Sequence, residues 1–111
     1  MVRAEMARWF SGAGYPPAQV DALIDYAKME SGFRPCAANG AGNRYTFQWS
    51  GLRLRRLAEF SGTSGCPHLA KQLAFADQEL RNEPNYSCFW QATSKPAAFA
   101  ALRRGFGYGR C

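Results

Sequence analysis

The chain carries a single histidine among its 111 residues, and that scarcity excludes much of what small proteins do with imidazole. No Ser-His-Asp or Cys-His device has support around His68, which reads as a surface residue near a helix start. The four cysteines, Cys36, Cys66, Cys88 and Cys111, include no C-x-x-C pair. A zinc module with closely paired ligands is therefore not expected, and neither a metal nor any other cofactor is. No apolar run approaches the roughly 18 residues that a membrane span requires. No G-x-x-x-x-G-K-[ST] phosphate loop, internal repeat or low-complexity tract occurs. Negative charge is also in short supply, since Asp+Glu 8 against Lys+Arg 14 leaves a formal charge of +6. Such a surface is drawn to nucleic acid, anionic lipid or acidic cell-wall polymer, and charge alone does not choose among them.

What is present is a globular composition, 47% hydrophobic and 20% charged, which excludes disorder as the main state. The length fits one compact domain, 1–111, expected to act as a monomer. Four widely spaced cysteines read as two disulfides, with all three pairings open. Such bonds persist in a periplasm or outside the cell, so a periplasmic or extracellular place of work is expected. The segment Met1-Val-Arg-Ala-Glu-Met-Ala-Arg-Trp-Phe10 lacks a continuous apolar stretch and is not a secretory signal.

Hydrophobic spacing predicts a mainly α fold with one irregular stretch. A short helix over 4–10 breaks at Ser11-Gly-Ala-Gly14. Pro17 reads as a first helical position, after which Val20, Leu23, Ile24 and Ala27 recur at one helix face, with Asp21, Asp25 and Lys28 opposite. Gly32 is a natural stop. Residues 34–50 are rich in turn residues and lead into a short extended or β segment, Tyr45-Thr46-Phe47-Gln48-Trp49, whose alternation would turn one aromatic inward. Helical spacing returns over 51–60 and again through Leu69, Leu73, Ala76 and Leu80, ending near Asn82, with Asp77, Glu79 and Glu83 on an apparent solvated face. A short helix over 85–92 follows, and Phe99, Leu102 and Phe106 space a last one that Gly105 and Gly107 would terminate.

Glu30 stands out within this pattern. It falls at the edge of the apolar stripe and in the last turn of its helix. A helix C-terminus carries partial negative charge, and an apolar wall penalises a carboxylate. Both placements oppose ionisation, and a retained proton is what a general acid needs. From helix position alone, the favoured reading of Glu30 is an exposed helix-end residue paired with Arg34, since surface glutamates are common.

The run Glu30-Ser31-Gly32-Phe33-Arg34-Pro35, followed by Phe47-Gln48-Trp49-Ser50-Gly51 and Arg53, resembles the lysozyme-like superfamily of goose-type lysozymes and lytic transglycosylases. The phage-tail-type lysozymes are the most similar group within it. The resemblance covers residues 20–60 and extends to the helix from Gln72 to Leu80. It implies a lysozyme-like helical fold, with a short irregular or β segment after the catalytic helix. It also implies cleavage of the β-1,4 bond between N-acetylmuramic acid and N-acetylglucosamine in peptidoglycan, with Glu30 as general acid. Gln48 would line the cleft, Phe47 and Trp49 would divide between cleft and core, and Tyr45 would stand where the family usually has glycine. Tyr108 would correspond to a tyrosine that many lytic transglycosylases place near their acid.

Two-carboxylate glycosidases need an acid and a base or nucleophile on opposite sides of the bond. Between Glu30 and Glu59 there is no Asp or Glu, so lytic transglycosylation is expected ahead of hydrolysis. The alternatives are a non-catalytic peptidoglycan-binding module, kept open by Tyr45, and a basic nucleic-acid-binding domain built on Leu52-Arg53-Leu54-Arg55-Arg56-Leu57.

Overall fold

Pro17 opens the helix around which the others pack. The structure, a computed structural model, describes residues 1–106. Helix α1 spans Val2–Gly12 and α2 spans Pro17–Ser31. Proline at the first position of α2 gives up an N–H that has no helical partner there anyway. Gly32 closes the helix at φ 60°, its N–H donating to the Lys28 carbonyl at 2.9 Å. The expected stripe of α2 is buried, and so are Gln19, Ala22, Tyr26 and Ser31. The helix is therefore wrapped on more than one face rather than lying at the surface.

The wrapping comes from α1, through Met6 and Phe10, and above all from α6, Lys95–Phe106, which packs on α2 more extensively than any other helix. Helix α4, Leu69–Asn82, adds Leu73, Ala76 and Leu80, and α3, Gly51–Ser61, adds Leu57. A 3₁₀ turn, Pro84–Tyr86, and the short α5, Ser87–Gln91, complete the order. No helix among the described residues is long and apolar enough to cross a membrane.

Gly105 does not end the last helix as its sequence context led one to expect; it lies inside α6. A Cβ built there would run into the Tyr86 ring, so glycine serves close packing at this point. Gly107 lies outside the described residues.

The stretch between α2 and α3 is organised by turns. Ala38 and Arg44 form one β-bridge, and Arg44 and Trp49 form a second, closing a tight loop over 45–48. Tyr45 and Gln48 hold positive φ, 72° and 53°, which non-glycine residues adopt only when their surroundings enforce it. Here the enforcement comes from Gln72 on α4. Its buried amide oxygen accepts from the Thr46 N–H at 3.0 Å, while its nitrogen donates to the Pro35 and Pro67 carbonyls. A disulfide joins Cys36 to Cys66 on the same side, closing a separation of 30 residues. Cys88 is also disulfide-bonded; Cys111 lies outside the described residues.

Three expectations from the sequence are corrected here. The Tyr45–Trp49 segment is a turn rather than an extended strand, and it sends both Phe47 and Trp49 into the core. Glu79 is not on a solvated face: it is 9% exposed and accepts from the Trp49 indole at 2.8 Å. Arg53 is likewise buried and donates twice to Glu79, at 2.7 and 2.8 Å. Arg53 is thus turned inward, away from the basic face that it was expected to share with Arg56.

Candidate active site

The last turn of α2 and the 45–48 turn face each other across a cleft of about 360 Å³. Glu30 enters it from α2 with Tyr26 and Met29, Phe47 and Gln48 enter from the turn, Arg53 from α3, and Arg103 and Phe106 from α6. Each element is held by packing remote from the cleft: α2 by α6, the turn by Gln72, and Arg53 by Glu79. The site residues therefore stand on a supported frame, which is what fixed geometry for chemistry requires.

Glu30 is half-buried, and it is the one carboxylate among the described residues lining the cleft. Tyr26, one helical turn earlier, lines the cleft beside Glu30. Burial first, and then the Glu30 charge and hydrogen bond, push the Tyr26 phenol well above its ordinary value, while Arg53 and Arg103 act in the opposite direction. Tyr26 is therefore a protonated donor across the physiological range. Its ring packs on Phe47, Phe99 and Phe106, which leaves the hydroxyl little choice of direction.

Gln48 lines the cleft, but its side-chain nitrogen is engaged by the loop, donating to the Tyr45 carbonyl at 2.9 Å and the Ala37 carbonyl at 3.3 Å. No hydrogen bond from Gln48 to Glu30 occurs. Phe47 forms floor more than wall, at 2% exposure, with its ring stacked near Phe106. Trp49, expected to share in binding, does not reach the cleft; it is fully buried beneath it. Tyr45 also lies elsewhere, in a neighbouring depression of about 220 Å³ with Arg44, Leu54 and Pro67. Tyr108 lies outside the described residues.

Sequence reasoning passed over Tyr26 and Arg103 as cleft residues. Tyr26 had a usable signal, because residues four apart on a helix are neighbours and Glu30 was already singled out. Arg103 had none, since only the packing of α6 on α2 brings it to the cleft.

Arranged this way, the cleft offers one carboxyl side chain, a phenol donor beside it, two guanidinium groups and an aromatic floor. That combination suits an elongated polar ligand that stacks on rings and receives a proton. No curated protein and no solved structure gives a significant match to the chain. The family model described as phage tail lysozyme matches residues 2–107.

Proposed function

The chain belongs to the phage tail lysozyme family, and from that premise we propose that it cleaves the β-1,4 bond between N-acetylmuramic acid and N-acetylglucosamine, with Glu30 as the general acid. Membership itself carries a lysozyme-like function on peptidoglycan. The observation that supports the finer reading is Glu30 as the single carboxylate among the described residues of the cleft, with Tyr26 beside it.

In this mechanism Glu30 gives its proton to the glycosidic oxygen as the bond to the anomeric carbon breaks. Tyr26 donates to the carboxylate that remains and keeps it from swinging away. With no second carboxylate among the described residues of the cleft to activate water, Glu30 then takes the proton of the muramic acid 6-hydroxyl, whose oxygen closes onto the anomeric carbon. The product is a 1,6-anhydro ring, and Glu30 ends protonated, as it began. Tyr45 stands outside the cleft, which supports a catalytic reading over a purely binding one. A wall substrate and the Cys36–Cys66 disulfide fit work in the periplasm or outside the cell.

Mass spectrometry of digested sacculi tests the proposal. The expected product is anhydromuropeptide, and its release should fall by about 10²–10⁴-fold in Glu30→Gln, the usual contribution of a positioned general acid. Products with reducing-end muramic acid alone would replace cyclisation by hydrolysis, and undiminished release by Glu30→Gln would remove Glu30 from the chemistry.

A further inference from the structure

Charge is unevenly balanced across the cleft. Behind Arg53 stands Glu79, joined to it at 2.7 Å. Arg103, on α6, reaches the same cleft, is exposed, and makes no ion pair among the described residues. Glu30, the remaining charged group of the lining, must be neutral to act as an acid. At that moment Arg103 is the uncompensated charge of the site. Phe47 and Phe106 form an apolar floor close by, and charge interactions strengthen where water is displaced by such surface. The group that answers an unpaired guanidinium is a carboxylate, bound through two parallel N–H donors. Glycan strands differ in whether they carry one: chitin chains are neutral, whereas muramic acid bears a lactyl arm on its 3-oxygen.

We propose that Arg103 is a specificity-determining residue that binds a carboxylate carried on the lactyl arm of muramic acid, so that the cleft selects acidic glycans over neutral chito-oligosaccharides of equal length. The inference rests on the glycan-cleaving reading of the same cleft. The carboxylate has two sources. One is the free lactyl acid of strands stripped of peptide; the other is the peptide stem, where the lactyl group is an amide and the charge lies further along.

Calorimetric titration of the full chain carrying Glu30→Gln, which holds ligand without turnover, separates these. The probes are chitotetraose, the peptide-free muramic acid tetrasaccharide, and the same tetrasaccharide bearing stem peptides. An acidic tetrasaccharide should bind about tenfold more tightly than chitotetraose at low salt, the scale of one charge-assisted contact, and the ratio should shrink as salt is raised. Adding Arg103→Gln should bring it close to one, and Arg103→Lys should restore part of it. Preference confined to the peptide-free ligand assigns the lactyl acid; preference for the peptide-bearing ligand assigns the stem. Equal affinity for neutral and acidic glycans, or a preference unchanged by Arg103→Gln, overturns the proposal even if the wild-type chain cleaves sacculi. Absence of binding to any glycan, together with absence of cleavage, overturns this proposal and the glycan-cleaving reading together.

Discussion

Glu79 and Glu30 both lie near Arg53, and the fold treats them in opposite ways. Glu79 is held by three hydrogen bonds, two from Arg53 and one from the Trp49 indole, with almost no exposure. Glu30 is half-buried at an open cleft, which it lines together with Tyr26. A buried carboxylate with its oxygens saturated has no capacity left for a ligand, and its role is to tie α3, α4 and the 45–48 turn together. A carboxylate with one face still open to the cleft can act on something else. Saturation against openness, more than residue type, separates the supporting acid from the one proposed to react.

The sharpest way to break the comparison is to exchange the consequences. Glu79→Ala leaves the Arg53 guanidinium and the Trp49 indole without their buried partner and should lower stability by about 3–5 kcal/mol, read from urea unfolding. Glu30→Gln should alter the same unfolding midpoint by no more than about 0.5 kcal/mol, as expected at a partly exposed site. If both variants lost equal stability, the division between supporting and reacting acids would fail.

Gly105→Ala probes the close-packed side at a point remote from charge. Its methyl group must displace the buried Tyr86 ring, and overpacking of this kind costs about 1–3 kcal/mol. Met29→Ala at the open cleft, where the residue is 50% exposed, should cost well under that in the same urea unfolding.

The smallest expected effect concerns alkaline pH. Tyr15, Tyr26 and Tyr86 are all raised above the ordinary phenol value of 10.0, in each case by burial foremost, with Asp77 adding to the rise at Tyr15 and Glu30 at Tyr26. A raised phenol binds its proton more tightly in the folded chain, so its stabilisation is complete below the unfolded value and declines as pH climbs beyond it. The urea midpoint should therefore be flat from neutrality to about pH 9 and fall from about pH 10 upward. Tyr15→Phe removes the 2.5 Å bond to Asp77; it should cost about 1 kcal/mol at neutral pH and make the alkaline decline shallower. A midpoint that rose above pH 10 would contradict the burial of these rings.

Much of the helical frame was legible in advance. Pro17 and Gly32 bracket α2, and the Leu69–Leu80 stripe sets α4, because these signals act through near neighbours on one helix. Glu30 was legible too, from its position at the stripe edge and from the segment around it. The 45–48 turn was not. Its positive φ values at Tyr45 and Gln48 run against local preference and are imposed by Gln72, 26 residues beyond Thr46. Glu79 looked solvent-facing because helical spacing on α4 cannot register that Arg53 and Trp49 come to meet it. Gly105 looked like a stop because a glycine needed for ring packing and one needed for chain reversal are written with the same letter.

By itself, then, the sequence determined where the helices begin and end, which of their faces are apolar, and which acid stands at the close of the central helix. Those properties depend on residues within a few positions of one another, whose interactions form whatever the rest of the chain does. Only tertiary structure decided that Arg53 and Glu79 neutralise each other inside, that Trp49 lies beneath the cleft instead of in it, and that Arg103 joins Glu30 in the cleft lining. Each of these joins residues far apart along the chain, and such contacts acquire their free energy only once the helices have packed and water has been removed from between them.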